Sequence, residues 1–143
     1  MLAGNRIMAA HYYVDEKNDI LVGVASGLVQ VDELISEANR VFTETNGAAF
    51  TKNHLFVLAA GALSSMIDED AMTRLRGFIE SWAAKFPGRY VRTAILVEDT
   101  SYKEHAFERW EEIVEDAANY RVETRIMTDR DKAVAWLTEK AET

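Results

Sequence analysis

His54-Leu55-Phe56-Val57-Leu58-Ala59, running on through Ala60-Gly61-Ala62-Leu63-Ser64-Ser65 to Asp68, is the stretch whose reading decides the fold. Its first six residues are apolar on both faces at their heart, the pattern of a strand buried within a sheet. The small-residue loop breaks that strand. Asp68 is then placed to cap a helix, with Ile67 and Met72 as a hydrophobic staple. Met72, Leu75, Ile79, Trp82 and Phe86 form one apolar stripe that ends at Pro87-Gly88. A buried strand followed by an amphipathic helix is the repeating unit of an α/β sheet.

The unit recurs in both directions. Upstream, His11–Val14 and Ile20–Ser26 read as two strands joined by the polar turn Asp15–Asp19, hence an N-terminal hairpin. Gly27 ends the second strand, Asp32 caps a helix carrying Leu34, Ile35, Ala38, Val41 and Phe42, and Asn46-Gly47 stops it. Downstream, Arg92–Val97 is a strand, and Ser101-Tyr102-Lys103-Glu104 matches a capping box for a helix with Phe107, Trp110, Val114 and Ala117 inward. Val122–Met127 follows as a strand whose Glu123 and Arg125 indicate an exposed face or edge. Thr128-Asp129-Arg130-Asp131 is another capping box, and Val134, Trp136 and Leu137 bury the last helix.

The order β-β-α-β-α-β-α-β-α predicts an α/β fold with a mainly parallel five-stranded sheet, an antiparallel first strand and four covering helices. Ligands or partners of such a sheet dock beyond the carboxyl ends of its parallel strands. That edge comprises Ala59–Asp68, Glu98–Ser101 and Thr128–Asp129.

A chain of 143 residues, 48% hydrophobic and 28% charged, is the size of one domain with one continuous core, expected over residues 10–140. Residues 1–9 are expected to be a disordered extension, with Met8 as a second candidate start. The absence of cysteine excludes disulfides, thiolate metal sites and a cysteine nucleophile. No apolar run approaches the roughly 20 residues of a membrane-spanning helix, and no secretory signal is present, so a cytoplasmic protein without membrane insertion is expected. A net charge of −8 argues against nucleic-acid binding, whose affinity comes largely from Lys and Arg.

The hairpin before the first helix, the small-residue and serine loop after the third strand, and the closing Ala133-Val134-Ala135-Trp136-Leu137 together resemble the STAS domains. These are the anti-sigma-factor antagonists and their stage-II-sporulation-protein-like bacterial relatives, related in fold to lipid-binding domains of the CRAL-TRIO type. The resemblance spans Ala10 to Leu137 at the level of topology. It implies a regulatory, protein-binding role and, in the antagonist branch, a phosphorylated serine at the head of the second helix. Ser64 and Ser65 stand in that neighbourhood, without the aspartate before and the glycine after that usually accompany it. Asp68, Glu69 and Asp70 would repel a phosphate that the helix dipole attracts.

No catalytic or metal-binding constellation emerges, and no cofactor is implied. His11, His54 and His105 share no metal-ligand spacing, no Gly-Lys-Ser or Gly-Lys-Thr loop occurs, and the glycines of a dinucleotide fingerprint or a nucleophile elbow are missing. Glu98 and Asp99 follow a parallel strand, where Asp99 suits the next helix's N-terminus. Leu63, Met66, Met72 and Phe78 exceed what one helical stripe needs and are candidates for an apolar ligand pocket or a partner surface. Three readings follow: a non-catalytic STAS-like regulatory or protein-interaction module, a carrier or sensor of a small lipid-like molecule, and a small hydrolase using Glu98, Asp99 or Ser65. A homodimer through the last strand or an apolar helix face is compatible with all three.

Overall fold

The computed structural model describes residues 10–26, 31–58, 69–86, 90–97 and 121–139. They form strands β1 (Ala10–Asp15), β2 (Ile20–Ala25), β3 (Asn53–Leu58), β4 (Tyr90–Val97) and β5 (Arg121–Met127), with helices α1 (Val31–Glu44), α2 (Glu69–Ala83) and α3 (Arg130–Thr138). The five strands make one sheet in the order β1-β2-β3-β4-β5. β1 is antiparallel to β2, and every later pair is parallel. The mixed α/β sheet with its antiparallel first strand thus forms as the sequence pattern predicts. The helix expected after Ser101 lies outside the described residues, so three helices stand where four are expected.

The hairpin turn is held by one side chain. Asp15 Oδ1 accepts from the backbone N–H of Lys17 at 3.1 Å and of Asn18 at 3.3 Å, while Oδ2 accepts from Asn18 Nδ2 at 2.8 Å. These bonds, that to the Asn18 side chain foremost, hold the Asp15 carboxyl below the usual carboxylate range. Asp19 closes the turn with φ 55°, a conformation that Asp tolerates better than most residues.

The register sorts side chains onto two faces. Tyr12, Leu21, Phe56, Leu58, Ile95 and Val97 share the front face with the buried residues of α1 and α2. Ile20, Val22, Leu55, Val57, Ala94 and Leu96 share the back face with Ala133, Trp136 and Leu137 of α3. The core is therefore two layers separated by the sheet. Leu34, Ala38, Val41 and Phe42 bury the predicted stripe of α1, and Gly47, at φ 84°, ends the turn beyond it by donating to the Phe42 carbonyl at 2.7 Å.

Three local expectations need correction. α1 begins at Val31, so Asp32 lies inside its first turn, where it pairs with Arg74 of α2. α2 ends at Ala83, three residues before Phe86, with Ala84, Lys85 and Phe86 completing turns that keep Phe86 against the front core. The cap of α3 is Asp129, one residue beyond Thr128. Its extended backbone (φ −114°, ψ 117°) lets the carboxylate accept from Lys132 N–H at 3.1 Å.

Gly23 fixes how β1 sits on the sheet. It pairs with Tyr12, whose ring lies across it toward β3, 6.3 Å from the ring of Phe56 and nearly parallel to it at 9°. A Cβ at position 23 would stand 2.5 Å from Tyr12 Cε1, inside contact distance. Gly23→Ala is expected to destabilise the domain by about 1–3 kcal/mol, as overpacking does. In urea unfolding the cost of Gly23→Ala should shrink in a Tyr12→Leu background; equal cost in both backgrounds would show that the ring is not the obstacle.

Candidate functional site

The parallel strands deliver the N-termini of α1, α2 and α3 to one edge, at the carboxyl ends of β2, β3 and β5. That edge carries acid. Asp32 and Glu33 lie in the first turn of α1, Asp70 in that of α2, and Asp129 caps α3. Arg74 bridges two of these helices, pairing with Asp32 and, at 3.5 Å, with Asp70. All three side chains are exposed, so the bridge contributes at most about 1 kcal/mol, but it places a cation between two carboxylates at the head of the α1–α2 layer.

Of the residues singled out in the sequence, Leu63, Ser64, Ser65 and Met66 lie outside the described residues, as do Glu98 and Asp99. Met72 falls in the first turn of α2, with its side chain outside the described set. Phe78 is half-buried and packs inward, its ring parallel to that of Phe42 at 5.9 Å. Phe42 also meets Phe50 edge-on at 5.3 Å and Trp82 at 5.4 Å, so four rings interlock between α1, α2 and the segment after α1. Offset and edge-to-face contacts at these separations are favourable for aromatic pairs.

The outer rim of this ring cluster forms an open groove of about 520 Å³ between Asn39, Thr43 and Asn46 on one side and Ser81, Trp82 and Lys85 on the other. Trp82 Nε1 donates to Asn39 Oδ1 at 3.2 Å, and Lys85 Nζ sits 4.1 Å from the centre of the indole. Its described lining offers amides, hydroxyls, the rings of Trp82 and Phe86 and the Lys85 ammonium.

A polar cluster that the sequence did not announce holds α3 to the back face. Arg92 Nη1 donates to the Trp136 carbonyl at 2.9 Å, and the guanidinium groups of Arg92 and Arg125 lie 5.4 and 4.6 Å from the indole centre. Glu123 faces both arginines and accepts from the Tyr90 hydroxyl at 2.8 Å. Burial first, then that bond to Glu123, pushes the Tyr90 phenol above its ordinary value. Asn53 joins the cluster from β3: its Nδ2 donates to the Leu137 carbonyl at 2.8 Å, and its Oδ1 accepts from the Arg92 backbone N–H at 2.9 Å. The sequence signal was the alternation of Glu123 and Arg125, readable as an exposed edge but silent about Trp136.

The two described histidines stand on opposite faces. His11 is exposed at the outer strand, 3.9 Å from Glu37 and stacked on Tyr13. His54 points to the front face beside the stacked rings of Tyr12 and Phe56, at 5.5 and 5.8 Å. Its Nε2 is sealed from solvent without a hydrogen-bond partner. Among the described residues no three His, Asp or Glu side chains are grouped to hold a metal ion, and no described helix is long and apolar enough to cross a membrane.

The chain matches no protein-family model, no curated protein and no solved structure.

Asn53→Ala should leave both the Leu137 carbonyl and the Arg92 N–H short of a partner, with a loss of about 1–3 kcal/mol in urea unfolding. Asn53→Asp keeps the acceptor for Arg92 and should lose less. If the two variants are equally stable, the bond from the Arg92 N–H to Asn53 contributes nothing to the fold.

Proposed function

We propose that this chain is a non-catalytic, STAS-like regulatory module that binds a protein partner at the carboxyl edge of its sheet. The order on which that resemblance rests, an antiparallel hairpin followed by parallel strands with helices between them, agrees with the described elements. The observation that favours a binding module over a carrier of a lipid-like molecule is the inward packing of Phe78. Stacked on Phe42 and in one cluster with Phe50 and Trp82, its ring is taken up in the packing of α2 against α1, where the carrier reading would have it line a ligand pocket. The acidic first turns of α1 and α2, bridged by Arg74, give the edge a charged rim suited to a basic partner surface.

Leu63→Asp and Ser65→Asp should each reduce capture of the cognate partner at least tenfold. Lys17→Glu, in the hairpin turn at the opposite end of the sheet, should leave it intact. Capture unchanged by both edge substitutions would remove the edge from the interface. A lipid-sized adduct retained by the purified chain in native mass spectrometry would instead favour the carrier.

A further inference from the structure

We propose that His54 is an acid-sensitive trigger within the front layer, whose protonation loosens the packing of β1 and α1 against the sheet. By register His54 lies in the row Val14, Leu21, His54, Thr93 and Thr124, so its neighbours along the sheet are two aliphatic and two hydroxyl side chains. The Tyr12 ring, carried across Gly23 from β1, and the ring of Phe56 stack on each other and both rest against it. Tyr12 in turn belongs to the same buried cluster as Leu34, Ala38 and Phe42 of α1. A change at His54 therefore meets first the ring that ties β1 to the central strands.

Among the described residues, charge on this imidazole has little to compensate it. Facing it from β1 is the Tyr12 ring. β2 presents Leu21, and β4 and β5 present Thr93 and Thr124. The buried face of α1 is Val31, Leu34, Ala38, Val41 and Phe42, and α2 contributes Leu75, Trp82 and Ala83. The ionised groups of α1 nearest to β1 are engaged at the sheet edge: Glu37 with Arg40 and His11, and Arg40 with the Tyr12 carbonyl. Among the described residues, none of these elements turns a carboxylate toward His54. The faces of the two rings attract a cation, but they offer no hydrogen-bond acceptor to Nε2–H.

Burial holds the imidazole neutral, with its protonation moved from 6.5 down to about 4. Part of the residue touches solvent, so water at the rim limits this displacement even though Nε2 itself is sealed. The sign follows from proton linkage. An opened state, with His54 in water, takes up a proton as pH falls through about 6.5, whereas the closed state resists until about 4. The stability of the closed layer is whole above pH 6.5 and is lost progressively below it. Between pH 7 and pH 5 the opening equilibrium should rise about tenfold, and about twentyfold with the full displacement.

Hydrogen exchange of the full chain at pH 7 and pH 5, corrected for intrinsic rates, tests this with His54→Leu and His54→Gln as two independent non-titrating variants. Opening of peptides from β1 and α1 should increase about tenfold or more in the native chain beyond any increase in the variants, while α3 on the back face stays protected. An equal pH response in native and variant chains would overturn the role of His54. An increase in α3 matching that in α1 would mean global unfolding and would overturn its assignment to the front layer.

Discussion

Neighbouring parallel strands joined through helices have one favoured handedness, and in this protein every parallel strand lies beside its predecessor in the chain. With no reversal of strand order, successive crossovers of the same hand put their helices on the same side of the sheet. α1 and α2 accordingly share the front face. The back face is left to a helix outside the crossovers, and the nine-residue α3 takes it. Everything distinctive about the two layers follows from that asymmetry.

The front layer is broad and is filled by rings. Phe42, Phe50, Phe78 and Trp82 interlock where two helices lie side by side, and Tyr12 reaches in from the outer strand because Gly23 leaves room beneath its ring. On the back face the described residues place one nine-residue helix, α3, which buries Ala133, Trp136 and Leu137. Polar contacts supplement it. Two arginines face the Trp136 indole, Glu123 faces both arginines, and Asn53 binds the last turn of α3 to β4. Such a cluster orients a short helix more than it stabilises it, because its partly exposed ion pairs are individually weak.

The same topology distributes ionisable groups. Acidic side chains collect at the carboxyl edge because that is where the helix N-termini lie, and their charge suits the helix dipoles. Among the described residues, the groove between the far ends of α1 and α2 carries amides and the Lys85 ammonium. Among the described residues, His54 is a titratable ring committed to the front layer of the sheet, so its chemistry is coupled to packing.

Local patterns in the sequence determined the kinds of element and their apolar sides. The alternation and apolar runs in Ile20–Ala25 and Leu55–Leu58, the stripe Leu34–Ala38–Val41–Phe42, and the stop at Asn46-Gly47 are properties of a few consecutive residues, and each appears in the fold. Caps were legible only to within a residue: Asp32 and Asp129 both suit a helix start, and backbone geometry made only Asp129 a cap in the described structure. The candidate edge was legible as a location, since strand–helix alternation alone implies it. Phe78 looked surplus on its own helix because a stripe is counted against one neighbour, whereas Phe42 comes from another helix. The pairing of Trp136 with Arg92 and Arg125, the contact of Tyr12 with His54 and the face given to each helix were decided by tertiary structure. A periodic pattern tells which side of an element avoids water, but only chain crossing and strand register bring that side to a particular neighbour.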